Sequence, residues 1–248
     1  MTRLHSRRGW LKAAGALAGL GLAGLPAISR AQARAQTDND VAFERALIRD
    51  NHRAMLDLIF RGVDPNMRDS RGRPGLVAAL HRDSLRVFDV LLQAPGIRLD
   101  ETSDQGESAL MMAALKGHLA IVRKLLERGA AVNKPGWNAL HYATSAALPD
   151  SLAIVQLLVR KGAPVDAPSP NGTTALMMAA QYGSEDVVAQ LLKYGADPLA
   201  KNQRGWTAVD FARQASREYL VESLTRAQQG KRSSQAQPQQ PSQRRPGW

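Results

Sequence analysis

The sequence predicts an all-α fold, a solenoid of stacked helix–turn–helix units joined by β-hairpin-like turns, with about six units including atypical end caps. Paired leucines recur at Leu91-Leu92, Leu125-Leu126, Leu157-Leu158 and Leu191-Leu192, at separations of 34, 32 and 34 residues. Glycines that would close each unit, Gly62, Gly96, Gly129, Gly162 and Gly195, are separated by 34, 33, 33 and 33 residues. A looser set, Gly72, Gly106, Gly136, Gly172 and Gly205, stands upstream of each helix pair. A period of this length marks an array whose units bury their apolar faces only against one another.

Each unit is justified in the same order. A turn glycine precedes a short first helix, as in Ser108-Ala109-Leu110-Met111-Met112-Ala113-Ala114, Asn138-Ala139-Leu140-His141-Tyr142-Ala143 and Thr174-Ala175-Leu176-Met177-Met178-Ala179-Ala180. Ser108 or Thr174 can cap the free N–H groups at the start of that helix. The second helix places apolar residues at helical spacing, as at Ile121, Val122, Leu125 and Leu126. Glycine ends it, as in Arg128-Gly129-Ala130, because a residue without Cβ accepts the left-handed conformation after a helix. A degenerate helix pair over residues 41–63 precedes recognisable units starting near Asp69, Ser103, Asn133 and Ser169. A last pair over 202–224 lacks the closing leucine–glycine pattern, as expected of a unit that meets water on one side. The fourth unit is irregular. Its turn, Asn133-Lys134-Pro135-Gly136, is short by about three residues, and the connection between its helices, Ala146-Ala147-Leu148-Pro149-Asp150, is long by three.

These residues resemble the ankyrin repeat, whose pattern is G-x-T-P-L-H-x-A-A followed by G-H, I-V, L-L and G-A. Here it reads Gly106-Glu107-Ser108-Ala109-Leu110-Met111-Met112-Ala113-Ala114, then Gly117-His118, Ile121-Val122, Leu125-Leu126 and Gly129-Ala130. The resemblance covers residues 38–225. Ala replaces the usual Pro at Ala109, Ala139, Ala175 and Ala208, Met replaces the usual His at Met111 and Met177, and His141 retains it. The resemblance implies a protein-binding module whose partner meets the turn tips and the first-helix face. Those positions include Arg71, Arg73, Gln105, Glu107, Lys116, Trp137, Thr173, Gln181, Tyr182, Arg204 and Trp206. Trp137 and Trp206 fall at the same tip position, and aromatics and arginine dominate interface energies. The competing reading is that each indole folds back onto its own turn.

The N-terminus reads Ser6-Arg7-Arg8-Gly9-Trp10-Leu11-Lys12, followed by an Ala-, Leu- and Gly-rich run to Ile28 and small residues around Ala31-Gln32-Ala33-Arg34-Ala35. A charged start, an apolar run and an A-x-A site make a signal peptide, and the paired arginines Arg7 and Arg8 resemble the twin-arginine export signal. Residues 1–35 are expected to be removed after Ala33 or Ala35, with the mature chain periplasmic and without a transmembrane segment. Gly19-Leu20-Gly21-Leu22-Ala23-Gly24 matches a dinucleotide fingerprint, but no strand pattern precedes it and no acid follows at the required distance.

Charge excludes a nucleic-acid role for the body. Of the formal +11, residues 1–33 and 226–248 carry five bases each and no acid, leaving 23 bases against 22 acids between them. The tail 226–248 is rich in Gln, Pro, Ser and Arg and is expected to be disordered. With no cysteine, thiol nucleophiles and cysteine-held metals are excluded. The histidines lack metal spacing, and neither a G-x-S-x-G elbow nor a phosphate loop occurs. The expectation is a monomeric, non-catalytic binder of another protein, with no cofactor, reaching the periplasm through the twin-arginine machinery. Resemblance to exported bacterial ankyrin proteins associated with peroxide resistance extends this to modulation of an envelope protein in oxidative-stress defence. The alternatives are an inhibitor or immunity protein for a toxic periplasmic enzyme and, in another class, a hydrolase with an unrecognised site. Met111-Met112 and Met177-Met178 read as core filling, with oxidant sensitivity as the second reading.

Overall fold

The computed structural model describes residues 30–236, so Arg7, Arg8 and the rest of the apolar N-terminal run lie outside the described residues. The chain divides after Thr37 into two units, and the stack belongs to the second, Asp38–Trp248. Among the described residues there are twelve helices and no strand. They fall into six pairs: α1 (Arg30–Ile48) with α2 (His52–Phe60), α3 (Gly75–His81) with α4 (Leu85–Gln93), and α5 (Ala109–Leu115) with α6 (Leu119–Glu127). The series continues with α7 (Ala139–Ala143) and α8 (Ser151–Arg160), α9 (Ala175–Tyr182) and α10 (Glu185–Lys193), and α11 (Ala208–Gln214) and α12 (Glu218–Ala236). The hairpin character of the turns is confined to two isolated antiparallel bridges, Arg68 with Pro74 and Thr102 with Ser108.

First helices α3, α5, α7, α9 and α11 pack in one row, and α8 packs between α6 and α10 in the row of second helices. The buried face of both rows forms a single cluster running from Phe43 to Leu224. The leucine pairs acquire a regular register once burial is known. The fully buried members are Leu91, Leu125, Leu158 and Leu191, with Leu58 fully buried in the equivalent place of the first unit. The four pair members are separated by 34, 33 and 33 residues, within one residue of the 33, 33 and 33 that separate the glycines following them. In the fourth unit the buried residue is thus the second of its pair, and Leu157 is only half-buried.

Both ends of the stack run further as helix than the repeat pattern predicts. α1 begins at Arg30, so both expected cleavage points fall in its first turns. Its leading residues include the helix formers Ala, Arg and Gln. α12 continues to Ala236, so the expected disorder from residue 226 is corrected over residues 226–236, which are helical. Leu220 and Leu224 anchor that helix in the core, and Gln228 Nε2 donates to the Pro198 carbonyl at 2.8 Å. Extending an anchored helix costs no new nucleus, so a polar composition that cannot build a core can still prolong one.

The fourth unit differs as its sequence does. α7 has five residues, the shortest of the described helices. The lengthened connection lays Leu148 over Gly117 of the preceding unit, where an added Cβ would stand 3.0 Å from Leu148 Cδ1. Gly117 also sits at φ +72°, a second reason for glycine there.

Candidate interaction surface

Four of the five turns between units are built alike. The first turn residue donates its amide to the carbonyl four residues on, Asp69 to Arg73, Ser103 to Glu107, Ser169 to Thr173 and Asn202 to Trp206, at 2.9–3.0 Å. The turn glycine donates back to that first residue at 2.8–2.9 Å. Side-chain acceptors brace the same loop: Asp69 Oδ1 takes the amides of Arg71 and Arg73 at 3.0 Å, and Asn202 Oδ1 takes those of Arg204 and Trp206 at 3.0 Å. A braced turn fixes the direction of the side chain at its tip. Arg71, Gln105 and Arg204 accordingly project into solvent. Tyr182, at the end of α9, is 49% exposed.

Two of the residues expected at the surface are instead buried, which corrects their assignment. Arg73 is 6% exposed, and its Nε lies 2.8 Å from Asp69 Oδ2. Burial opposes ionisation of Asp69, but the Arg73 guanidinium and the Arg73 and Arg71 amides outweigh it and hold the carboxyl below its ordinary value. Thr173 is 2% exposed; its amide donates to Ser169 Oγ at 2.9 Å and its carbonyl accepts from His141 Nε2 at 3.0 Å. Both positions follow the turn glycine, where the chain heads into the core.

The two tryptophans are half-buried and pack against the core. Trp137 meets His141 edge-on, with ring centroids 5.3 Å apart, and Trp206 meets Phe211 likewise at 5.7 Å. Each indole thus lies on its own first helix, while Arg204 stands 6.0 Å from the Trp206 ring centroid. This is the fold-back geometry, in which the ring's buried edge stabilises the turn and only the remaining edge reaches solvent.

Glu107, half-buried, collects a network across three units. Its carboxylate accepts from Ser103 Oγ and His81 Nε2 at 3.3 Å and from Tyr142 OH at 3.4 Å. Burial, and then the Glu107 charge, push the Tyr142 phenol up to about 12, so it remains a donor. Lys116 ties α5 to the preceding unit through Asp83 Oδ2 at 2.7 Å and the His81 carbonyl at 3.1 Å. His118 Nε2 lies 3.3 Å from the other oxygen of Asp83. Gln181 is half-buried and donates to Gln214 at 3.5 Å. The sequence places Tyr142 on the first helix of the fourth unit without singling it out as a partner of Glu107. Among the described residues no three His, Asp or Glu side chains converge as metal ligands. No described helix is long and apolar enough to cross a membrane.

The model for ankyrin repeats (3 copies) matches residues 43–135, 76–168, 115–202 and 145–233, a continuous span over most of the chain. The chain therefore belongs to the ankyrin-repeat family, whose repeats form a protein-binding module that is generally non-catalytic. It is 33% identical over 109 residues to ankyrin repeat and SAM domain-containing protein 6 of Rattus norvegicus, covering 42% of this chain and 12% of that protein. It is 36% identical over 81 residues to NF-kappa-B inhibitor alpha of Sus scrofa, covering 31% of this chain and 26% of the relative. A match to the poly [ADP-ribose] polymerase tankyrase of Caenorhabditis elegans, 40% identical over 70 residues, covers 27% of this chain and 3% of that one. The chain thus spans only 3% to 26% of the length of these curated relatives.

Proposed function

We propose that the chain is a monomeric, non-catalytic module that binds another protein in the periplasm. The observation that carries the binding role is the set of tip side chains, Arg71, Gln105 and Arg204, held outward by braced turns, with Tyr182 exposed at the end of α9. Arginine and tyrosine on a rigid frame lose little freedom on binding, which is what interface anchors need. Export rests on Ser6-Arg7-Arg8-Gly9-Trp10-Leu11-Lys12 and the A-x-A site that follows.

Affinity capture from periplasmic extract tests the binding role. The Arg71→Ala/Tyr182→Ala/Arg204→Ala variant should lose the captured protein while melting within about 2 °C of the parent, because exposed side chains contribute little to stability. Undiminished capture, or catalytic turnover by the purified chain, would contradict it. The captured protein also separates the finer readings: an oxidative-stress enzyme points to stress defence, a toxic enzyme to inhibition. Export is tested separately. Arg7→Lys/Arg8→Lys should keep the chain cytoplasmic with Met1 attached, and periplasmic protein still carrying residues 1–33 would refute cleavage.

A further inference from the structure

The positive charge of the chain is not spread along the stack. Residues 34–198 hold 19 bases and 19 acids, whereas residues 199–248 hold nine bases and three acids. Glu222 is the last acidic side chain, and residues 223–248 carry Arg226, Lys231, Arg232, Arg244 and Arg245 with no acid among them. α12 is the element that carries this charge out of the fold. Leu220 and Leu224 are buried, Ala227 and Gln228 are half-buried, and every residue from Gln229 to Gln235 is exposed. The first three turns of α12 therefore belong to the stack, and its last two, about 12 Å of helix, do not. Arg226 pairs with Glu222 at 2.8 Å, and Lys231 and Arg232 have no carboxylate partner among the described residues. Helix stability does not account for these cations, because the dipole acts within the final turn and α12 has no base there.

The chemistry of the extension narrows what it meets. From Gln228 to Gln235 no side chain is apolar, and Arg226, Lys231 and Arg232 are spread around the helix rather than aligned on one face. Such an element neither fills a pocket nor enters hydrocarbon; it is drawn to dense negative charge whatever the orientation. Phospholipid headgroups present charge in that way. Nucleic-acid phosphates do too, but single strands are held by stacking on several aromatics, and after Tyr219 the sequence has Trp248 alone. One indole close to two arginines suits the boundary between headgroups and water.

Beyond the protein-binding reading, and through none of the tip side chains, we propose that the extension from Arg226 to Trp248 docks the stack on an anionic phospholipid bilayer. The contact is peripheral and reversible, made by five cations against headgroup phosphates, and salt weakens it.

The test is co-sedimentation of the purified full chain with vesicles of equal parts phosphatidylglycerol and phosphatidylcholine, and with vesicles of phosphatidylcholine alone. The chain should favour the anionic vesicles, and the preference should vanish at about 1 M salt, where screening acts within about 3 Å. Neutralising either pair, Lys231→Gln/Arg232→Gln or Arg244→Gln/Arg245→Gln, should weaken partition about twentyfold, since each cation at an anionic surface is worth about fivefold. Arg7, Arg8 and Lys12 are common to all variants, so the differences read the C-terminal cations. Arg160→Gln/Lys161→Gln removes the same charge from exposed positions elsewhere and should change partition little. Parent-like binding by both C-terminal pairs, or an equal loss in the Arg160/Lys161 variant, overturns the proposal. Tighter binding to a single-stranded or duplex oligonucleotide at equal phosphate concentration would assign the extension to nucleic acid and overturn it as well. Partner capture is read without vesicles, so failure here leaves the tip surface standing, and failure of capture leaves this result unchanged.

Discussion

The third residue of four successive first helices carries three kinds of side chain that answer one need. Met111 Sδ accepts the Ser108 amide at 3.5 Å, Met177 Sδ accepts the Thr174 amide at 3.4 Å, His141 Nδ1 accepts the Asn138 amide at 3.4 Å and Asp210 Oδ2 accepts the Thr207 amide at 2.8 Å. In the second unit the capping residue is Pro74, which has no amide to satisfy, and the matching position is the apolar Val77. The methionines therefore cap as well as fill, which their identity as apolar residues hides in the sequence. His141 does more, because its Nε2 reaches the next unit at the Thr173 carbonyl. Met177→His should make the same bridge to the Trp206 carbonyl and raise stability by about 1 kcal/mol at pH 8, read by urea unfolding. Burial holds His141 below its ordinary value of 6.5, so the folded chain keeps it neutral while the unfolded chain protonates. Stability from this group is complete above pH 6.5 and falls as the pH drops from there through the lowered folded value. His141→Met should flatten the pH dependence of unfolding in that window; an unchanged slope would assign it elsewhere. Arg73 gives the opposite lesson to a surface arginine. Arg73→Ala would leave the fully buried Asp69 carboxylate with the amides of residues 71 and 73 but only Arg82 Nη2, at 3.5 Å, as a cation, and should cost about 3 kcal/mol in chemical denaturation.

At the scale of the element, periodicity in apolar residues and glycines was enough to read the helix pairs and their order. It was not enough to read their local register, because a Leu-Leu dipeptide does not say which leucine faces inward. Leu158→Ala should cost about 2–5 kcal/mol and Leu157→Ala clearly less, whereas in the third unit the order reverses, with Leu125→Ala costing more than Leu126→Ala. Thermal melts of the four variants check both orders at once. Helix ends were misread for a related reason: composition reports whether a segment can form a core, not whether an anchored helix continues through it. The tip residues were read as a set from the repeat pattern. What separated Arg71 and Arg204, which project outward, from Arg73 and Thr173, which turn inward, was the side of the turn glycine on which each stands. Gly117 links two elements, since Gly117→Ala must adopt φ +72° and meet Leu148. It should cost more than Gly129→Ala, which is at φ +88° with nothing within 4 Å of the added Cβ.

For the whole molecule, the stack behaves as a rigid rail because neighbouring units share one core and bond across their loops. The tryptophans, the most attractive binding residues in the sequence, are largely spent on that rail, and the proposed binding surface relies on the exposed tip side chains instead. Nothing in a one-dimensional pattern shows where an indole ring lies, so only side-chain packing distinguishes the two. The central claim is that the rail binds through its tips, with the second-helix face left free. Hydrogen exchange on the captured complex tests it most directly. Bound partner should slow exchange in peptides spanning 69–73, 103–107, 133–137 and 202–206 and leave the outer face of α4, α6, α8 and α10 unchanged; protection confined to those second helices would contradict it.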